Sequence, residues 1–141
     1  MEQAVNAYIF NKEGSKIVLV MHEKYNKLLP PGGHVEPNET ILEACIREVE
    51  EETGIKLSYS NFYSLHPENK FVLPPNSVSD HPHIVSEFLA QIDESSYSGD
   101  WHRVDTETFN KLDDNVILTL LKFRGELLSG INIDYRRACH A

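Results

Sequence analysis

The reading of this chain turns on one stretch: Gly33-His34-Val35-Glu36-Pro37-Asn38-Glu39-Thr40-Ile41-Leu42-Glu43-Ala44-Cys45-Ile46-Arg47-Glu48-Val49-Glu50-Glu51-Glu52-Thr53-Gly54-Ile55. Thr40 followed three residues later by Glu43 is a capping-box pair, in which each side chain satisfies the other's free backbone N–H. Leu42, Cys45, Ile46 and Val49 then recur at helical spacing and form one apolar stripe. Gly54 stands where a left-handed residue ends a helix. The stretch therefore predicts a helix over Thr40 to Thr53. Glu48, Glu51 and Glu52 share one of its faces, being spaced i, i+3 and i+4. At about 100° per residue their mean direction lies about 115° from the apolar stripe. That places the acids on the rim where the helix meets the rest of the fold.

Three like charges on adjacent turns repel one another. A solvated acidic face tolerates this. A hard divalent cation, Mg²⁺ with Mn²⁺ as a substitute, relieves it, because these ions take oxygen ligands. The helix C-terminus adds partial negative charge that also favours a cation.

Outward from the helix, Val5 to Phe10 and Lys16 to His22 read as a β-hairpin around Asn11-Lys12-Glu13-Gly14-Ser15. Lys27-Leu28-Leu29 reads as a short strand, and Pro30-Pro31-Gly32-Gly33 as a turn or loop. Leu57 to Leu65 and His83 to Ile92 read as strands. Glu68 to Asp80 reads as a long loop with a short extended piece at Phe71. Trp101 to Val104 is strand-like, and Thr106 to Leu112 predicts a short helical turn. Asn115 to Leu128 predicts the last helix, with Asp114 as its N-cap and Gly130 beyond its end. Residues 131–141 read as an added edge strand or a disordered tail. The expected architecture is α+β, an α/β/α sandwich with a mixed sheet packed between helices, in one domain over residues 1–141.

Lys plus Arg number 13 against 22 Asp plus Glu, for a net charge of −9. Such a surface repels nucleic acid and anionic membranes. An anionic substrate would need a bound cation to offset that repulsion. The longest apolar run, Ile17 to Met21, is far short of the ~20 residues of a membrane span, and the N-terminus carries no signal-peptide pattern. The two cysteines, Cys45 and Cys139, suggest no disulfide framework, which points to a reducing cytoplasm.

The quoted stretch resembles the signature box of the Nudix hydrolases: Gly, five residues, Glu, seven residues, Arg-Glu-aliphatic-any-Glu-Glu-any-Gly-aliphatic. All nine specified positions match between residues 33 and 55. Leu29-Pro30-Pro31-Gly32 resembles the usual lead-in. The resemblance implies the Nudix fold and metal-dependent hydrolysis of a phosphoanhydride by water attack at phosphorus. It implies Glu48, Glu51 and Glu52 as metal ligands, with a backbone carbonyl near Gly32 completing the shell. Glu51 or Glu52 would serve as general base, and Arg47 would orient the acids; as a plain surface residue Arg47 would instead pair with Glu43 or Glu50. Glu39 would fasten the loop to the helix, and Gly32 and Gly33 would permit a tight turn and close approach to metal or phosphate.

The implied substrate is a small nucleotide, a nucleoside triphosphate or a related nucleoside diphosphate linked to another moiety. A family marker of ADP-ribose enzymes is a proline about 15 residues past the box, where this chain has Lys70, and a tyrosine in that region marks dinucleotide polyphosphate enzymes. Neither is present, and the coenzyme A motif is absent. ADP-ribose and dinucleotide polyphosphate hydrolysis remain the alternatives, as does a nucleotide-sensing module on the same fold. A long nucleic-acid partner is disfavoured by charge, and relatives are monomers or homodimers.

Outside the box, Glu87 reads either as an added acid of the metal site or as an outward-facing strand residue. His81 and His83 alternate onto one face but lack a third ligand of comparable quality, and read as a polar loop. His34 reads as a phosphate contact or an exposed loop residue. Tyr8, Phe62, Tyr63, Phe71 and Phe88 include candidates for stacking on a base, with core packing as the common alternative.

Overall fold

The computed structural model describes residues 1–23, 26–75 and 79–129. The chain opens with β1 (Glu2–Phe10) and β2 (Lys16–Val18), paired antiparallel with Phe10 opposite Ile17. Asn11 closes this hairpin. Its Oδ1 accepts from the backbone N–H groups of Ser15 and Lys16, both at 3.0 Å, an arrangement in which an Asn side chain replaces missing backbone partners.

The expected single strand from Lys16 to His22 is two. Leu19 turns into the core, and β3 (Val20–His22) leaves the main sheet to pair with β4 (Lys27–Leu29). The expected turn at Gly32 and Gly33 is instead β5 (Gly32–His34), antiparallel to the start of β1 with Val5 opposite Gly33 and Asn6 opposite Gly32. These glycines are there for space. A Cβ on Gly32 would stand 2.0 Å from the Val5 carbonyl oxygen.

Helix α1 (Ile41–Thr53) follows, with Thr40 as N-cap, a complete capping box with Glu43 and a left-handed Gly54 at its end. Its buried residues are Ala44, Cys45 and Val49, while Leu42 and Ile46 flank them half-buried. The stripe is thus rotated slightly from the one the sequence predicts.

Leu57 to Leu65 is not a strand. It holds a 3-10 turn over Tyr59–Asn61 and one isolated bridge, Phe62 to Ala90. Asn61 explains this, since its side chain accepts from the Ser58 N–H at 2.8 Å and donates to the Gln91 carbonyl at 3.1 Å. Such local side-chain bonds offer the backbone an alternative to a ladder. The expected loop at Phe71 contains a real strand, β6 (Asn69–Leu73), antiparallel to β7 (His83–Gln91). β7 in turn runs parallel to β1 along the whole length of both. After β8 (Trp101–Arg103) and the short α2 (Thr106–Phe109), helix α3 (Asp114–Leu128) begins one residue earlier than expected, with Asp113 as its N-cap. Asp113 makes no side-chain cap bond and instead pairs with Lys27. Residues 130–141, including Gly130, Cys139 and the anticipated tail, lie outside the described residues.

The main sheet runs β6-β7-β1-β2-β8, with β5 on the free flank of β1 beside β2. β1 alternates strictly. Val5, Ala7 and Ile9 point to a cluster with Ala44, Cys45 and Val49 of α1. Tyr8 and Phe10 point to a cluster with Leu120 and Phe123 of α3. A strand covered on both faces reads as a near-continuous apolar run, which is how this segment reads. The result is the mixed sheet between helices. Among the described residues no helix is long and apolar enough to cross a membrane.

Candidate functional site

Arg47 is the hub of the box. Its guanidinium grips Glu39 with two bonds, Nε to Oε2 at 2.8 Å and Nη2 to Oε1 at 3.0 Å. Nη1 donates to Glu48 Oε1 at 2.8 Å and reaches both Glu51 oxygens at 3.3–3.4 Å. Nη2 also donates to the His34 carbonyl at 2.9 Å. The planar fork suits this bidentate geometry. Glu43 and Glu50 are not its partners, for Glu43 is committed to the capping box. Glu39 Oε1 accepts in addition from the Glu36 N–H at 2.9 Å. Arg47 beside it holds the Glu39 carboxyl below the usual carboxylate range.

The three acids of α1 have different surroundings. Glu48 is largely covered, its side chain 17% exposed, and its carboxyl fills the space over Gly33. Glu51 is 58% exposed and leans on Arg47. Glu52 is exposed too. One flank of it is desolvated, the Glu48 and Glu51 charges stand nearby, and only a backbone hydrogen bond from Gly32 opposes them. Together these push its carboxyl up to about 7. Gly32 therefore touches the cluster through its backbone and Gly33 through its lack of a side chain.

The acids are not gathered to a point. Among the described residues, the group of three ligand types whose donor atoms all lie within 4.8 Å of one another is Glu2, His81 and His83, not the helix trio. Even so, the single positive charge of Arg47 faces four carboxylates, Glu36, Glu39, Glu48 and Glu51, and Glu52 stands near the last two. That leaves an excess of negative charge built wholly from oxygen donors. Mg²⁺ keeps several of its waters and binds through few carboxylates, so a spread oxygen-only set fits it.

A pH dependence follows from Glu52. Its folded-state proton affinity is raised, so between about pH 4.5 and 7 the folded protein holds a proton that the unfolded chain has released. The stabilising contribution is complete below the unfolded value and is lost as pH rises through the folded one. In EDTA, the melting temperature of the wild type relative to Glu52→Gln should fall as pH is raised across this window. Parallel curves for the two proteins would refute the assignment.

Glu87 is not outward-facing. It is 2% exposed, on the sheet face that packs against α3. Its carboxyl accepts from Asn69 Nδ2 at 2.9 Å, Asn6 Nδ2 at 3.2 Å and Thr119 Oγ1 at 3.2 Å, and Tyr8 also bonds to it. Tyr8, Phe62 and Phe88 are core residues, whereas Tyr63 and Phe71 are half-buried. Burial pushes the Cys45 thiol up to about 12, which rules it out as a nucleophile at neutral pH. A shallow depression of about 420 Å³, lined by Leu28, Tyr97, Asp100 and His102 among others, contains none of the box residues. His34, His81 and His83 do meet, together with Glu2, which the sequence alone gave no reason to single out.

A family model described as NUDIX domain matches residues 2–115. The m7GpppN-mRNA hydrolase NUDT17 of Xenopus laevis is 35% identical over 97 residues, covering 66% of this chain and 31% of that protein. A probable DHNTP pyrophosphohydrolase of Lactococcus lactis subsp. cremoris is 30% identical over 97 residues, covering 67% of this chain and 56% of that protein. Both matches span less than two thirds of the relative's own length. The crystal structure of a NUDIX-family hydrolase from Clostridium perfringens superimposes with a TM-score of 0.72 at 25% identity, covering 88% of this chain and 96% of that one.

Proposed function

The chain belongs to the NUDIX domain family, and on that premise we propose that it hydrolyses a phosphoanhydride bond in a nucleoside triphosphate or a related nucleoside diphosphate linked to another moiety. The observation that carries this reading is the division of labour around Arg47. One guanidinium ties Glu39, Glu48 and Glu51 together, while the carboxyl of Glu52, desolvated on one flank and beside Glu48 and Glu51, is pushed up to about 7 in the metal-free protein. A general base works best when its proton affinity lies close to the working pH.

Glu48, Glu51 and Glu52 would hold the divalent cation, Mg²⁺ with Mn²⁺ as a substitute, and the Gly32 backbone lies beside them. When bound, that ion supplies the positive charge that the oxygens around phosphorus need. The residues of the chain do the rest. Arg47 orients Glu48 and Glu51, Glu39 ties the loop to α1, and of the two candidate bases we favour Glu52 to take the proton of the attacking water. Glu51 is already engaged by the Arg47 guanidinium, 3.3 Å away.

The test is a panel: nucleoside triphosphates, ADP-ribose, diadenosine polyphosphates and a capped dinucleotide, each with Mg²⁺ and with EDTA. Release of a nucleoside monophosphate and a phosphate-containing product is expected in Mg²⁺ and not in EDTA. The names of the two relatives support keeping the capped dinucleotide in the panel and adding DHNTP. No turnover of any compound by folded protein that still binds nucleotide would favour a sensing module.

A further inference from the structure

The parallel register of β1 and β7 sets Glu2 opposite His83, and β5 sets His34 opposite Ala4. Strand alternation brings Glu2, His34 and His83 to one face of the sheet, and His81 reaches the same place from just before β7. His83 Nε2 and His81 Nε2 lie 3.0 and 2.9 Å from Glu2 Oε2, His34 Nε2 lies 3.6 Å from it, and His34 Nε2 is 3.0 Å from His83 Nε2.

Hydrogen bonding accounts for His81, whose two ring nitrogens each face a carboxylate, but not for the surroundings of His83. His83 Nε2 carries at most one hydrogen, yet two atoms stand 3.0 Å from it. If that hydrogen goes to Glu2, His34 must accept nothing or share it. If His34 donates instead, the His83 lone pair faces a carboxylate. A cation held by Glu2, His81 and His83, whose donor atoms all lie within 4.8 Å of one another, turns their contacts into ligand–ligand edges. With bonds of about 2.0–2.2 Å, the edge of a tetrahedron is about 3.3–3.6 Å, close to the spacing here. The surrounding chemistry agrees. His81 Nδ1 pairs with Asp80 Oδ1 at 2.8 Å, and a carboxylate on the far nitrogen fixes the tautomer that presents Nε2 to a metal.

We propose that Glu2, His81 and His83 form a second metal site, with His34 beside it, for a four-coordinate, imidazole-preferring ion of the Zn²⁺ class, distinct from the oxygen-only acids of α1. Two imidazole nitrogens and one carboxylate oxygen suit Zn²⁺ and select against Mg²⁺. The ion ties the starts of β1 and β7 together beside the end of β5, where His34 lies. β5 is also the strand whose Gly33 backs Glu48 and whose His34 carbonyl is held by Arg47.

Tag-free protein, stripped with EDTA and returned to excess Mg²⁺, would be titrated with Co²⁺ as the spectroscopic probe. The expected result is the intense visible absorption of four-coordinate Co²⁺, saturating near one equivalent and displaced by Zn²⁺. Zn²⁺ should also raise the melting temperature. His83→Ala and His81→Ala should abolish the absorption or weaken Co²⁺ binding at least about tenfold, and Glu52→Gln should leave it unchanged. His81 is half-exposed, so its variant keeps the test alive if the one at buried His83 does not fold. A weak six-coordinate spectrum, no binding, or absorption that survives His81→Ala and disappears in Glu52→Gln would overturn the proposal.

Discussion

Replacing Glu52 with Gln should lower kcat by about 10²–10⁴-fold, the range expected for removal of a positioned general base, and should at the same time make the metal-free protein at pH 8 more heat-resistant than the wild type. The two effects have one cause. Above about pH 7 the wild-type carboxyl is forced to ionise beside Glu48 and Glu51 with one flank desolvated. An uncharged amide of the same shape removes that repulsion. It cannot accept a proton from water, and it is a poorer partner for a divalent cation. Glu51→Gln is the control, since Glu51 shares Arg47 with three other acids, Glu36, Glu39 and Glu48; its loss should be the smaller. Steady-state kinetics at saturating Mg²⁺, with melting curves in EDTA, read both quantities. A larger loss in Glu51→Gln than in Glu52→Gln would move the proton to Glu51. Wild-type turnover in Glu52→Gln would remove the acid from the mechanism.

What the sequence discloses here depends on how local the cause is. Helix α1 is legible because its signals, Thr40 with Glu43, the apolar spacing and Gly54, all lie within one short segment. The two faces of β1 are legible because a strand buried on both sides reads as an apolar run. The segment from Leu57 to Leu65 misleads, because Leu57 and Phe62 are apolar for packing reasons while Asn61 diverts the backbone into a turn. β5 is missed because glycine is a turn signal, and the atoms that demand glycine there belong to β1 and α1. The Arg47 network spans eight residues to Glu39 and is visible beforehand only through the family signature. The histidine cluster is the extreme case. Its members are brought together by a strand register that joins residues 81 positions apart, and no spacing rule in one sequence reports that.

The glycine pair at the start of β5 gives the sharpest separation of fold from function. Gly32 and Gly33 are chemically identical neighbours, yet alanine at each should produce different failures. A Cβ on Gly32 would meet the Val5 carbonyl oxygen at 2.0 Å and the Asn6 Cα at 3.0 Å. Those are backbone atoms of the central strand, and they can yield only if β5 pulls away from β1. Gly32→Ala should therefore destabilise the protein by about 1–3 kcal/mol, as overpacking does, and lower activity mainly in proportion to unfolding. A Cβ on Gly33 would meet Glu48 at its carboxyl, 2.4 Å from Cδ and 2.5–2.7 Å from the oxygens. That carboxyl is the far end of a flexible side chain, so it can swing aside at small cost to the fold. Swinging aside takes it from Arg47, 2.8 Å away, and from the place where the metal is proposed to bind. A misplacement of about 1 Å in a catalytic group can cost about 10²-fold, so Gly33→Ala should retain its melting temperature within a few degrees while kcat/KM falls by about that factor and the Mg²⁺ requirement rises. Thermal melts and Mg²⁺ titrations of the two variants, run side by side, decide the matter. If Gly33→Ala were as active as the wild type with an unchanged Mg²⁺ dependence, Glu48 would have no part in holding the metal. If both variants simply unfolded, the space behind Glu48 would be a packing constraint and nothing more.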